Sequence, residues 1–112
     1  PTYLERAVQI LDKNTDVGLV HCGIQYIDEH TKVTTSKQVY ENDFVDREEN
    51  HLLKYLLEGC IINPAGVLAR KKVYETVGNF TDKIVWGVDP HMWTRIALNF
   101  PIAYLAEPLA QY

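Results

Sequence analysis

The residues from Trp86 to Trp93 form the segment of this sequence best suited to chemistry. Asp89 is predicted to be the N-cap of a helix, with Pro90 at the first helical position. A carboxylate there is stabilised by the helix dipole and by free backbone N–H groups, so it can accept a proton from a sugar hydroxyl as a general base. Trp86 and Trp93 offer flat apolar faces of the kind that stack on sugar rings. A plain N-cap with two core tryptophans is the alternative interpretation.

Other chemistry-bearing patterns are scarce. The basic run Arg70-Lys71-Lys72 is interpreted either as a solvated helix start or as a contact with phosphate on a ligand or lipid. The sequence has no Gly-rich phosphate loop, no Asp-x-Asp pair for a divalent cation, no Gly-x-Ser-x-Gly and no His-Glu-x-x-His. Its four histidines stand at no spacing typical of paired ligands, so no metal site is predicted.

The bulk composition excludes several classes of protein. The chain has 112 residues, enough for one small domain, and a net charge of −4 with scattered Lys and Arg, which gives no indication of nucleic-acid binding. No apolar run approaches the ~20 residues that a membrane span needs. Cys22 and Cys60 stand in no disulfide or metal-binding pattern. They are predicted to be buried free thiols, which fits a reducing, cytoplasmic location.

The elements are predicted from hydrophobic periodicity and from cap residues. Thr2 and Glu5 form a capping box that predicts a helix over residues 2–13. A strand over 17–27 and a Thr-rich strand over 33–40 are predicted to form a hairpin around a polar turn. The remaining predictions are an irregular acidic segment at 41–47, a helix over 48–58, a strand over 65–70, a helix over 71–77, a loop over 79–88, a helix from 89 to 100 and a strand over 102–105.

This order predicts an α/β fold with one layered core, so residues 1–112 are interpreted as a single domain. Several of the predicted strands would need neighbours that the chain does not obviously contain. We therefore expect a partial domain, and we expect the apolar strand at 17–22 to lack cover. Uncovered apolar surface associates and open strand edges pair, so the sequence predicts a homo-oligomer.

Several stretches resemble the C-terminal half of family 2 inverting glycosyltransferases. They are Leu57-Glu58-Gly59-Cys60, the run over 65–80, and then Asp89, Trp93 and Arg95. The tail over 102–112 resembles the closing strand of that family, and residues 1–5 resemble the segment next to its metal-binding Asp-x-Asp motif, on the C-terminal side. The resemblance keeps the family's order over nearly the whole chain and is weakest over the hairpin at 28–47.

The resemblance implies the C-terminal part of a GT-A fold, which is Rossmann-like, with a mixed sheet and flanking helices. It also implies that Asp89 is the catalytic base, which deprotonates the acceptor hydroxyl as that hydroxyl attacks the anomeric carbon. Gly59 and Cys60 would line the acceptor pocket. Trp86 would lie beside the base, and we assign Trp93 to acceptor binding as well. The sequence departs from the family at Val88, where a Glu often precedes the base.

The same resemblance implies the partners. The acceptor would be a glycan or a lipid-linked sugar, and the nucleotide-sugar donor would bind to a half that this chain lacks, together with Mg or Mn. No cofactor is expected on this fragment, which should be inactive alone. Association of the whole protein with the inner face of a membrane is a further expectation. The alternatives are a non-catalytic carbohydrate-binding module of the α+β class and a self-associating structural piece.

Overall fold

The fold was analysed in a computed structural model that describes residues 2–48, 50–59, 61–84 and 86–112, except for the side chains of residues 51, 52, 55 and 56. The sequence also predicts that Leu52, Leu53, Leu56 and Leu57 form one apolar side of the second helix. Leu53 and Leu57 are 56 % and 77 % exposed, and the side chains of the other two lie outside the described residues. The elements, in chain order, are α1 (Tyr3–Lys13), β1 (Leu19–Ile27), β2 (Val33–Lys37), β3 (Phe44–Asp46), α2 (Asn50–Glu58), a 3-10 turn (Pro64–Gly66), β4 (Val67–Ala69), α3 (Lys71–Val77), α4 (Val88–Asn99) and β5 (Ile102–Gln111).

The strands form one mixed, open sheet of five strands. Its order is β2-β1-β5-β3, and β4 also pairs with β1. β1 and β5 are parallel, whereas the other pairs are antiparallel. The prediction of an α/β chain with a mixed sheet and flanking helices is therefore confirmed.

Helices cover both faces of the sheet. Successive residues of a strand point to opposite faces, and Leu19 and Val20 accordingly belong to two separate core clusters. The first cluster packs against α3 and α4 and contains Leu19, Ile61, Ile62, Val73, Met92, Trp93, Ile96 and Ile102. The second packs against α1 and contains Ala7, Leu11, Val17, Val20, Cys22, Ala103 and Leu105.

The central strand corrects one prediction. We expected the apolar residues at 17–22 to lack cover, yet the hydrophobic residues among them, Val17, Leu19, Val20 and Cys22, are at most 3 % exposed. β1 is apolar on both faces because α1 covers one face while α3 and α4 cover the other. The surface from which self-association was predicted is therefore not available.

The α1 helix begins at the predicted capping box. The Glu5 N–H donates to the Thr2 hydroxyl at 3.3 Å, and the Thr2 N–H donates to the Glu5 carboxylate at 3.0 Å. The Tyr3 hydroxyl lies 2.8 Å from the Gly66 carbonyl and 3.0 Å from the Val20 carbonyl. This contact fixes the start of α1 to β1 and to the 3-10 turn.

The β3 strand and the full length of β5 were not predicted. The segment at 41–47 was predicted to be irregular, but it contains β3, which pairs with β5. Asp43 in this segment has a structural role, since its carboxylate accepts the Ala106 N–H at 2.7 Å. β5 extends to Gln111, and its register against β1 shifts around Gly23, which pairs with Pro108. A Cβ on Gly23 would lie 3.0 Å from three backbone atoms of this shifted segment.

Candidate functional site

Asp89 lies in the first turn of α4, two residues after the residue that caps this helix. Gly87 is the N-cap, in the left-handed conformation with φ of 76°, and its carbonyl accepts the His91 N–H at 2.9 Å. The prediction that Asp89 is the N-cap and Pro90 the first helical residue is therefore wrong, because the helix begins at Val88. Pro90 is tolerated in the first turn, where its missing N–H would have no intrahelical partner.

The helix start still gives Asp89 the electrostatic setting that was predicted. The partial positive charge at a helix N-terminus stabilises an anion within the first turn. The Asp89 residue is half-buried and lines a cavity of about 180 Å³. Asp89 is thus part of the cavity wall.

The cavity, which we call the α4 cleft, opens beside β1 where its pairing passes from β4 to β2. β4 pairs with Leu19, Val20 and His21, whereas β2 pairs with β1 from Ile24 onward. The lining residues are Cys22, Ile24, Tyr26, Lys37, Val39, Ile61, Ile62, Asn63, Pro64, Asp89 and Pro90. The C-terminal half of β1 thus forms one wall.

Polar groups accompany Asp89 in this cleft. Tyr26 contributes a phenol and Lys37 an ammonium group. The Asn63 side-chain oxygen accepts the Ala65 N–H at 2.9 Å, which fixes the side chain as the cap of the 3-10 turn. Its NH₂ group remains a donor. The α4 cleft therefore combines a hydrogen-bond acceptor, donors and apolar walls, as small-molecule sites do.

The predicted site residues are only partly brought together. Trp86 is 89 % exposed, precedes α4 and does not line the α4 cleft. Gly59 follows α2 with φ of 81°, and a Cβ built on it would meet no atom within 4 Å. Cys60 lies outside the described residues.

Trp93 occupies a different position from the one predicted. Its side chain is 3 % exposed and belongs to the core beneath α3 and α4. The Phe80 ring contacts it edge-on, with centroids 5.7 Å apart. Although Trp93 is one helical turn from Asp89, its ring packs in the core and does not line the α4 cleft. It is a core residue that does not offer a face to a sugar, which matches the plainer of the two interpretations.

The basic run at the start of α3 divides into one structural residue and two surface residues. The Arg70 guanidinium donates to the carbonyls of Val17 at 2.7 Å, Asn14 at 3.1 Å and Leu11. Lys71 and Lys72 are exposed. Arg70 is therefore committed to the C-terminal end of α1.

Arg95 has a comparable structural task. Its guanidinium donates to the carbonyl of Val77, at the end of α3, and to the carbonyl of Asn79 at 2.7 Å. It thereby attaches α4 to the loop that comes after α3. Arg95, one of the residues on which the resemblance rests, thus has a structural role.

The described residues show no set of side chains that would hold the divalent metal implied by the resemblance. In the part of the chain that the structure describes, no three His, Cys, Asp or Glu side chains come together as a metal-binding group. Asp89 is the one acidic residue among those lining the α4 cleft. We therefore derive no chemical step through a metal bound to these residues.

Comparison with known proteins assigns no family. No protein-family model matches the chain, and no curated protein sequence matches it significantly. Among the described helices, none has both the length and the apolar character that crossing a bilayer requires.

Sequence reasoning missed the residues that surround Asp89 in the cleft. Tyr26, Lys37 and Asn63 come from three separate segments, and no spacing along the chain relates them. A weak signal was present at Tyr26 and Lys37, because a hairpin around residues 28–32 must bring its two strands side by side. The register that pairs Lys37 with Ile24 could not be read from the sequence.

Proposed function

We propose that this chain is the acceptor-side half of a family 2 inverting glycosyltransferase with a GT-A fold, and that Asp89 is its general base. The observation that carries the proposal is the position of Asp89, which stands in the first turn of a helix, in the wall of a cleft that also contains Tyr26, Lys37 and Asn63. The resemblance of the sequence to this family also supports Asp89 as the base.

The reaction would proceed by direct displacement. An acceptor hydroxyl bound in the α4 cleft donates its proton to the Asp89 carboxylate while its oxygen attacks the anomeric carbon of the donor sugar. The new C–O bond forms as the bond to the nucleotide diphosphate breaks, and the diphosphate leaves with the electron pair. Attack from the side opposite the leaving group inverts the anomeric configuration.

The residues of this chain would contribute binding and orientation. Tyr26 and Asn63 can hydrogen-bond to sugar hydroxyls, and Ile24 and Ile61 form apolar walls. Holding the acceptor next to the base converts the encounter into an effectively intramolecular step. The nucleotide-sugar and its metal would bind to the donor half, outside this chain.

Calorimetric titration of the 112-residue chain tests whether the chain binds the acceptor but not the nucleotide-sugar donor. We expect no heat of binding with nucleotide-sugars and manganese, because the described residues form no metal-binding group. Acceptor saccharides should bind, and they should shift the backbone amide resonances around Asp89. Manganese-dependent binding of a nucleotide-sugar would contradict the proposal by placing the donor site in this chain.

The exposure of Trp86 favours a second candidate, a non-catalytic carbohydrate-binding module. An indole that is 89 % exposed is free to stack on a sugar ring. This candidate predicts that saccharides change the fluorescence of Trp86, and that Trp86→Ala abolishes binding while Asp89→Asn does not. The buried Trp93 provides the internal reference, since its emission should stay constant. Under the leading proposal, Trp86→Ala leaves saccharide binding in place, and the amide shifts are centred on Asp89.

A further inference from the structure

Lys37 and Asp89 carry opposite charges and line the same cleft without pairing to each other. Lys37 ends β2 opposite Ile24, and Asp89 enters from the first turn of α4. In the described part of the chain, neither side chain takes part in an ion pair or a hydrogen bond. Neither charge is therefore neutralised by a described protein group, and both are available to a ligand in the cleft.

The size of the α4 cleft limits that ligand. Its volume of about 180 Å³ is below the roughly 300–1,000 Å³ of sites that enclose drug-sized molecules. It suits one small polar unit, such as a single sugar ring. Ile24, Ile61 and Pro90 form apolar parts of the wall, while Lys37 is exposed.

We infer that Lys37 makes the α4 cleft selective for an acceptor unit that carries an anionic group, either a carboxylate or a phosphate. This inference rests on the proposed function. The Lys37 ammonium binds the anion as a point charge with three N–H donors. The Asp89 carboxylate accepts a hydrogen bond from the neighbouring sugar hydroxyl. Without Lys37, the remaining charge of Asp89 would repel an anionic acceptor. Lys37 is therefore a specificity-determining residue.

The experiment compares three probes on the isotope-labelled chain by NMR. They are a neutral hexose oligosaccharide, the corresponding uronic acid and the corresponding sugar phosphate. We expect at least one anionic probe to bind about fivefold more tightly than the neutral one, which corresponds to ~1 kcal/mol. The preference should weaken as salt is added. Whether the uronic acid or the phosphate binds more tightly identifies the source of the anion.

Variants at two lysines make the test specific. Lys37→Gln should remove the preference for anionic probes, and Lys37→Arg should retain it because the positive charge remains. Lys32→Gln is the matched control, since Lys32 is an exposed lysine before β2 that does not line the α4 cleft. Amide spectra of each variant establish that the fold is intact.

The outcomes separate the inference from the function on which it rests. Equal affinity for neutral and anionic probes, with amide shifts around Asp89, would overturn the role of Lys37 and leave the acceptor site in place. If no saccharide shifted the amides of the α4 cleft, the proposed function itself would be contradicted. A preference for anionic probes that survived Lys37→Gln would likewise show that Lys37 does not determine the selectivity.

Discussion

At the level of single residues, the Arg70 guanidinium supplies hydrogen bonds that α1 cannot make for itself. The last carbonyls of a helix have no intrahelical donor, and a cation there also interacts favourably with the helix dipole. Arg70 donates to Leu11 and Asn14 at that end and to Val17 at the approach to β1. One side chain thus joins α1, β1 and the start of α3.

Substitution of Arg70 should be strongly destabilising. Arg70→Ala should lower the free energy of unfolding by about 2–3 kcal/mol, since it removes charge-assisted hydrogen bonds from partly buried carbonyls. Lys71→Ala, at an exposed position, should stay within about 0.5 kcal/mol of the wild type. Urea unfolding of both variants measures the difference. Similar losses for the two variants would show that Arg70 does not hold α1 to the rest of the fold.

Asp16 and Arg47 form a well-aligned surface ion pair. Arg47 Nε donates to one Asp16 carboxylate oxygen at 2.8 Å and Nη2 donates to the other at 3.0 Å. The hydrogen bond from Arg47 lowers the pKa of Asp16 below its ordinary value. Because the folded-state pKa is depressed, the stabilisation is fully present above the unfolded-state pKa near ~3.9 and is lost as the pH falls through the folded-state value.

Asp16→Asn should therefore destabilise the chain at pH 7 and have little effect at strongly acidic pH. The effect at pH 7 should also shrink at high salt, since both side chains are about half exposed. Thermal unfolding of the wild type and the variant at the two pH values provides the comparison. A difference that persisted unchanged at strongly acidic pH would mean that the charge of Asp16 is not what stabilises the fold.

At the level of elements, the sequence predicted those helices and strands whose signals lie within their own residues or next to them. The capping box predicted α1, and α3 spans Lys71–Val77 as predicted. The hairpin of β1 and β2 was predicted from two β-rich runs around a polar turn. Elements defined by distant partners were missed, because β3 exists through its pairing with β5.

The start of α4 shows why the candidate site could be predicted only in part. The Asp-Pro pair indicated a helix start, and Asp89 does lie in the first turn. The sequence could not show that Gly87 adopts the left-handed conformation and takes the N-cap position. It also could not show that Trp93 turns into the core. Both depend on packing between α4, α3 and the sheet.

Substitution of Gly87 should destabilise the chain through backbone strain and not through steric overlap. A Cβ at this position would meet no atom within 4 Å, but φ is 76°. Gly87→Ala should therefore cost about 1–2 kcal/mol through left-handed strain. Gly87→Asn should cost less, since Asn tolerates this conformation. Equal losses for the two variants in urea unfolding would contradict the strain argument.

At the level of the whole molecule, the layered arrangement explains why the largely apolar β1 does not remain exposed. α1 covers one face of the sheet, α3 and α4 cover the other, and the α4 cleft lies where β4 and β2 meet along β1. Tyr104 of β5 ties the segment after β2 to the sheet, because its hydroxyl accepts the Val39 N–H at 2.8 Å.

The prediction of a homo-oligomer now depends on strand edges rather than on an apolar face. β2 ends the strand order of the described sheet, and its five residues are all exposed. Such an edge can pair with a second copy of the chain. Light scattering over a range of concentrations should show a mass above the 12.9 kDa of one chain. A constant mass of 12.9 kDa at high concentration would contradict the prediction.

The central claim is that Asp89 removes a proton from the acceptor hydroxyl. Under the proposed function, its most direct test is the turnover of Asp89→Asn with the proposed donor-binding half present. We expect the rate of sugar transfer to fall about 10²–10⁴-fold while donor affinity is unchanged, because the amide cannot act as the base. Asp82→Asn, at an exposed loop position, should transfer sugar at the wild-type rate. Unchanged turnover in Asp89→Asn would contradict the assignment of the base.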